Sequence, residues 1–194
     1  MTLGATGLLV VAAATLFLAR GLYARLATIL ARFILRLWSI SIVVHGDRAW
    51  PRQQTVFISN HPSTLDLFVL VALGLPRTRF FLSGFLQKYV PLGIIARLMG
   101  TFFTVPQHDQ PGRRRIFAAA ADTLRRTGES VYLSPEGGRY PGNAVGPFNK
   151  GAFHLAASLR APILPLLFVI PAESDPGMGY DARPGTVHVH VGTP

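Results

Sequence analysis

His61 and Asp66 stand five positions apart in the stretch Asn60-His61-Pro62-Ser63-Thr64-Leu65-Asp66. A carboxylate bonded to one imidazole nitrogen fixes the tautomer and leaves the other nitrogen to accept a proton. The chemistry on offer is general-base removal of a proton from a hydroxyl. Within a continuous helix the two side chains would lie far apart around the axis, at 3.6 residues per turn. Pro62 alters this, because it disfavours helix at the preceding His61 and itself suits a first helical position. His61 is then expected just outside a helix, folded back over the first turn, where Asp66 points. The same residues support a second reading. Ser63-x-x-Asp66 ahead of an apolar run is a capping-box variant with a carboxylate at a helix N-terminus, and His61 is then a turn residue.

A second group follows at Ser134-Pro135-Glu136-Gly137-Gly138-Arg139. The glycines allow close approach of a ligand to the backbone, and the planar Arg139 cation suits a phosphate. Taken alone, the loop reads equally as a Gly/Pro turn with a surface ion pair. Further on, Phe148-Asn149-Lys150-Gly151-Ala152 opens a helical run, and Ala161-Pro162-Ile163-Leu164-Pro165 leads into an apolar strand. These prolines are expected to mark the strand entrance or an edge.

Alternating elements must position these residues. Strands are expected at Ser41–His45, Thr55–Ser59, Arg79–Leu82, Thr101–Val105, Ser130–Leu133, Ile163–Ile170 and Thr186–Val191. Helices are expected at Thr64–Leu73, Leu92–Met99, Pro111–Arg126 and Gly151–Leu159. The alternation predicts an α/β fold with a mixed central sheet flanked by helices. His61 then falls at a strand-to-helix turn, and the segment from Ala172 to Pro184 reads as one longer exposed loop.

In this order and spacing the segments resemble the glycerolipid acyltransferase family typified by 1-acylglycerol-3-phosphate acyltransferase. His61 to Asp66 is similar to its H-x-x-x-x-D motif. Pro135-Glu136-Gly137-Gly138-Arg139 is similar to its P-E-G-T-R motif, with Gly138 where Thr is usual. The Phe148–Ala152 and Ala161–Pro165 segments resemble two later blocks, and Gly185 to Pro194 looks like the strand that closes the catalytic core. The resemblance spans residues 40–194. It implies acyl transfer from a thioester, acyl-CoA or acyl-carrier protein, to a lysolipid hydroxyl, with His61 as base and Asp66 orienting it. It also implies that Glu136, Gly137, Gly138, Arg139, Asn60, Lys150 and Pro162 shape or line the acceptor's site. No metal or cofactor is required. One block departs: Thr104-Val105-Pro106-Gln107-His108-Asp109 has Gln107 in or near the place of an Arg associated with the acceptor's phosphate. Arg113, Arg114 and Arg115 follow closely and are candidates to replace it. Their other reading is a solvated helix start. The departure leaves room for a non-phosphate acceptor such as a lyso-ornithine lipid, and a catalytically silent lipid-binding protein is the alternative of another class.

Composition agrees with a lipid partner. The 194 residues are 49% hydrophobic and only 14% charged, with a formal charge of +10. An oily, basic chain points to anionic lipid surfaces, and no nucleic-acid-reading motif is present. The absence of cysteine excludes disulfides, thiolate catalysis and Cys-based zinc sites. Residues 1–39 are expected to form membrane-anchoring helices and residues 40–194 the catalytic domain. Leu3 to Ala19 is uncharged and at the short limit for a bilayer span. No basic residue precedes it, which makes it a poor signal peptide. Arg20, Arg25, Arg32 and Arg36 come afterwards, so the positive-inside rule places the catalytic domain on the cytoplasmic side of a cell membrane. Leu22 to Trp38 alternates cationic and apolar faces and is expected in the headgroup plane, with Trp38 at the interface. The other reading of both runs is core helices of a soluble protein. His188 and His190 share a strand face, without an evident third metal ligand.

Overall fold

The structure, a computed structural model, describes residues 19–47, 49–140, 145–176 and 181–194. The chain runs α1 (Arg20–Leu37), β1 (Ile40–His45), β2 (Val56–Ser59), α2 (Leu65–Leu73), β3 (Thr78–Ser83), a 3-10 turn (Gly84–Lys88) and α3 (Val90–Leu98). It continues with β4 (Phe102–Thr104), α4 (Gln110–Thr127), β5 (Ser130–Leu133), α5 (Gly151–Leu159), β6 (Ile163–Val169) and β7 (Gly185–Val191). The expected uncharged run, apart from Ala19, lies outside the described residues.

The strands form one seven-stranded sheet in the order β1-β7-β6-β2-β5-β3-β4. All pairings are parallel except β6 with β7. β2 lies at the centre and all four of its residues are buried. Successive side chains of a strand point to opposite faces, and β2 accordingly feeds two cores. Phe57 joins Ala27, Ala31 and Leu35 of α1, Val69 and Leu70 of α2, and Phe168 and Val187 of the neighbouring strands. Val56 and Ile58 join Ala120 and Leu124 of α4 and Leu155 of α5. Both faces of the central strands are covered, which is the condition under which parallel strands are stable. Each fully buried Leu, Val or Phe contributes about 1.5–3 kcal/mol relative to exposure.

α1 is continuous with this core rather than a separate anchoring unit. Ala27, Ala31 and Leu35 turn inward, Thr28 donates from its hydroxyl to Val71 O at 3.0 Å, and Arg32 Nε donates to Ala72 O at 2.9 Å. At its start, Arg20 pairs with Glu129 at 2.6 Å, and Arg79 takes the other Glu129 oxygen at 2.7 Å. Residues 20–37, which belong to the expected anchoring segment 1–39, thus share a core with residues of 40–194. Trp38, expected at a membrane interface, is half-buried and meets Phe68 edge-on, with ring centroids 5.1 Å apart. Among the described residues no helix is long and apolar enough to cross a membrane.

β6 is an interior strand, so Pro165 marks no edge. Its carbonyl accepts from Gly192 N at 2.9 Å. A strand residue's N–H and C=O point the same way, so its missing N–H would face β7. Pro165 faces Gly192, the register position just beyond Leu166 and Val191, so the proline forgoes only the reciprocal bond at the end of the β6–β7 ladder.

Candidate active site

β2 delivers the chain at Ser59 to a buried turn. Asn60 locks the exit of the strand: its Nδ2 donates to Phe168 O at 2.9 Å, and its Oδ1 accepts from Phe168 N at 2.8 Å. Both amide atoms bond β6, so Asn60 fixes the position of the turn. Next to it, Ser59 Oγ donates to Asn60 O and meets Tyr132 Oη at 2.7 Å, which places the phenol as donor. Burial raises the Tyr132 pKa, and the phenol stays protonated.

His61 and Asp66 meet as expected. His61 Nδ1 lies 2.6 Å from Asp66 Oδ2. The His61 side chain is 37% exposed and that of Asp66 only 5%. The capping reading is also realised, because Asp66 Oδ2 accepts from Ser63 N at 3.3 Å. One carboxylate both closes the first turn of α2 and holds the imidazole. Nε2 has no partner among the described residues and faces the cavity. Burial works against the imidazolium, but the bond to Asp66 and its charge outweigh it, so the His61 pKa lies above 6.5. Burial likewise holds the Asp66 carboxyl above its ordinary value, against the opposing pull of His61, Ser63 N–H and Arg139.

Glu136 is 2% exposed and supports the site from below. Its Oε2 accepts from His61 N at 3.1 Å and its Oε1 from Gly146 N at 3.2 Å. These bonds tie the Glu-Gly-Gly-Arg loop to the histidine backbone, and Tyr140 N donates back to His61 O at 3.0 Å. Gly137 adopts φ +66°, and a Cβ there would sit 2.8 Å from Asn149 Nδ2 and 2.9 Å from Gln107 Nε2. Only glycine fits both constraints. Gly138 is different, since nothing lies within 4 Å of a Cβ added there. Arg139 is half-buried, and its charge acts on both His61 and Asp66.

A cavity of about 770 Å³ opens at the dyad. Its apolar wall includes Leu67, Phe68, Phe81, Leu92, Phe103 and Phe117, and its polar end carries His61, Gln107, Arg113 and Gly138. A larger groove, about 1010 Å³, lies between α1 and β1 and contains neither member of the dyad. The smaller cavity is the candidate active site because His61 and Asp66 stand in its wall.

The other expected site residues fall into two sets. Arg113 lines the cavity, whereas Arg114 and Arg115 are exposed and do not. Lys150 is exposed at the start of α5 and is not a lining residue. Pro162 is corrected outright. Its carbonyl accepts from Val56 N at 2.9 Å, at the N-terminal end of β2, while the dyad lies beyond the C-terminal end. In parallel strands these ends are a full strand apart, so Pro162 cannot touch a substrate at His61.

Sequence reasoning missed the contact between Ser63 and Asp175. Ser63 Oγ donates to Asp175 and accepts from Leu65 N at 3.1 Å, which anchors the segment after β6 to the start of α2. The expected exposed loop is therefore partly packed, and Ser174 is fully buried. No periodicity announces this contact, since Ser63 and Asp175 meet only through the fold. His45 joins His188 and His190: its Nε2 lies 2.9 Å from His188 Nδ1, and its ring stacks on His190 at 4.5 Å. Among the described residues no group of three or more such side chains is placed to hold a metal.

The site's elements coincide with similarity to known proteins. A family model described as Acyltransferase matches residues 41–169. The chain is 34% identical over 149 residues to the chloroplastic 1-acyl-sn-glycerol-3-phosphate acyltransferase BAT2 of Brassica napus, covering 69% of this chain and 41% of that protein. It is 34% identical over 138 residues to the 1-acyl-sn-glycerol-3-phosphate acyltransferase of Saccharomyces cerevisiae, covering 66% and 43%. The chain thus spans about two fifths of the length of these curated relatives. Its fold matches the crystal structure of the 1-acyl-sn-glycerophosphate acyltransferase PlsC of Thermotoga maritima, with TM-score 0.73 and 20% identity, covering 91% of this chain and 70% of that one. The family match takes in the dyad, the Glu-Gly-Gly-Arg loop and the strands that carry them, and this chain belongs to the acyltransferase family.

Proposed function

We propose that the protein transfers a fatty acyl group from a thioester to the hydroxyl of a lysolipid at a membrane surface, with 1-acylglycerol-3-phosphate as the leading acceptor. The observation that carries this reading is the His61–Asp66 pair, with Nε2 directed into an apolar cavity. The names of the relatives support the acceptor. His61 Nε2 takes the hydroxyl proton as the oxygen attacks the thioester carbonyl. The tetrahedral intermediate collapses, the C–S bond breaks, and the departing thiolate takes the proton from the imidazolium. Asp66 keeps the proton on Nδ1 and stabilises the imidazolium between the two transfers. General-base assistance of this kind contributes about 10²–10⁴ in rate. The apolar wall accommodates an acyl chain, and a cavity of this size lies within the usual range for ligand sites, about 300–1,000 Å³. Arg139 and Arg113 supply charge for an anionic head group. The donor is acyl-CoA or acyl-carrier protein.

A cationic and apolar α1 supports a site held at the cytoplasmic surface of a membrane. Leu22, Leu26, Ile29, Leu30, Phe33 and Leu37 are all exposed on it, beside the stripe of Arg25, Arg32 and Arg36. A second acceptor, with a non-phosphate head such as a lyso-ornithine lipid, is favoured by one observation. The neutral Gln107 amide stands in the cavity wall, and the position of Gly138 is open. One experiment tests both readings. Purified protein is given labelled acyl-CoA or acyl-carrier protein and a panel of lysolipids, alongside His61→Ala. Acylation of lysophosphatidate by wild type alone is expected. Equal transfer by the mutant would sink the mechanism, and product only from the non-phosphate acceptor would replace the first reading by the second.

A further inference from the structure

The groove between α1 and β1 has no part in the chemistry above. Its floor is the edge strand β1, through Ile40, Ile42 and Val44, with Trp50 at one side. Its rim on α1 carries Arg32 and Arg36. Arg32 is aimed by its bond to Ala72 O. Among the described residues neither arginine forms an ion pair. The exposed Ile29 and Phe33 line the same groove and continue into the apolar stripe of α1. At 100° per residue the helix therefore shows three stripes: Ala27, Ala31 and Leu35 inward, then Arg25, Arg32 and Arg36, then the exposed apolar side chains.

We infer that this groove is a second lipid site, which holds one anionic phospholipid of the bilayer. Its acyl chain lies along the apolar floor of β1, and its phosphate meets the Arg32 and Arg36 guanidiniums. Charge selects the occupant, because two arginines without an ion pair among the described residues border a mostly apolar trough on a chain of formal charge +10. Shape separates it from general surface attraction. A flat helix face gathers many lipids, whereas a concave groove of about 1010 Å³ seats one. The inference rests on the membrane-surface reading of α1, but not on acyl transfer.

Trp50 reports on the groove directly. The chain has two tryptophans, and Trp38→Phe leaves Trp50 as the only one. Using the double variant His61→Ala/Trp38→Phe removes turnover from the experiment. The probes are vesicles of phosphatidylcholine and phosphatidylglycerol in fixed proportion, brominated on the acyl chains of one lipid or of the other. Surface charge is then identical, and only the quencher's carrier differs. Trp50 quenching is expected to favour brominated phosphatidylglycerol by about fivefold per engaged cation. Arg36→Gln should reduce that preference, and so should Ser41→Glu, which adds a negative charge at an exposed lining position, while vesicle sedimentation persists through the apolar stripe. Equal quenching by the two brominated lipids overturns the site, as does absence of quenching in protein that sediments with vesicles. Failure to sediment at all overturns both the site and the membrane-surface reading, and acyl transfer to dispersed lysolipid then tests the catalytic reading separately.

Discussion

Asp66→Asn separates the two tasks of one carboxylate. Asn keeps an oxygen for Ser63 N–H, 3.3 Å away in the native site, so the first turn of α2 stays closed. What is lost is the charge 2.6 Å from His61 Nδ1. That charge is what lifts the His61 pKa above 6.5 against burial and against Arg139. Without it those two opposing effects prevail, and the imidazole becomes a weaker base with no counter-charge for its protonated form. The expected loss in kcat/KM is about 10²–10⁴-fold, or about 3–5 kcal/mol. The pH profile carries the sign. In the wild type the rate rises as His61 loses its proton, through an apparent pKa above 6.5, and in the variant this limb moves to lower pH. Stability should not follow activity. A raised folded pKa at His61 stabilises fully below the unfolded pKa, and the effect fades as pH rises through the folded value. The raised pKa of Asp66 acts in the same direction, because the folded state favours its protonated form. Above the folded His61 pKa the dyad adds nothing to the fold by this route, and there Asp66→Asn should unfold at no lower urea concentration than wild type. Initial rates of labelled acyl transfer across pH, with urea titrations of both proteins, give the answer. A variant within a factor of about 3 of wild type at every pH, less than about 1 kcal/mol, or one whose acidic limb moves upward, refutes the assignment.

Other positions give sharper structural tests. Asn60→Leu strips both bonds from the buried Phe168 main chain, and at about 1–3 kcal/mol for each buried group left unpaired urea midpoints should fall strongly. Gly137→Ala forces a side chain into φ +66° and against Asn149 and Gln107. A loss of about 1–3 kcal/mol is expected, whereas Gly138→Ala, with open space around it, should leave the midpoint unchanged. Asp175→Ala frees Ser63 Oγ and loosens the start of α2, so kcat should drop by about tenfold, at 1.4 kcal/mol for one bond. Asp175→Asn, which keeps an acceptor, should recover most of that loss. Arg113→Gln should raise KM for lysophosphatidate more than it lowers kcat, while Arg114→Gln, exposed and outside the cavity, should change neither.

Periodicity and punctuation carried most of the element order. The apolar runs around Phe57 and Val131 read as strands because burial on both faces removes the polar alternation, while the run around Leu166 is apolar although its burial alternates along β6. The expected helix ends at Leu73 and Arg126 fall within two residues of Gly74 and Gly128, each left-handed at a helix C-cap. The 3-10 turn Gly84–Lys88 escaped notice because five residues give no helical period, and its one capping bond, from Phe85 N to Ser83 Oγ, is local. Strand order was not legible at all. Nothing in the local pattern places β7 between β1 and β6, and the wrong placement of Pro162 follows from that gap. Pro162 immediately precedes β6, and the resemblance that made it a site residue carries no register, whereas the parallel pairing with β2 sends it to the opposite end.

The dyad was legible for a different reason, and that reason also explains why the structural work of its polar neighbours was not. His61, Pro62 and Asp66 interact within one turn, so their spacing encodes their geometry. Asn60 and Glu136 are adjacent to this turn in sequence or motif, and both are polar types that suit a ligand. Yet each is buried, and each spends its polar atoms on main-chain groups: Asn60 on Phe168, Glu136 on His61 and Gly146. A buried polar group must be paired, and here the partners are backbone atoms freed where a strand stops and a loop turns. The residues that hold an irregular, functional turn in place therefore share the chemistry of those that hold a substrate. Fold geometry separates them. His61 Nε2 is left pointing into a cavity, whereas the polar atoms of Asn60 and Glu136 are already taken, so replacing either should show first in stability and in the placement of His61, and only through that in turnover.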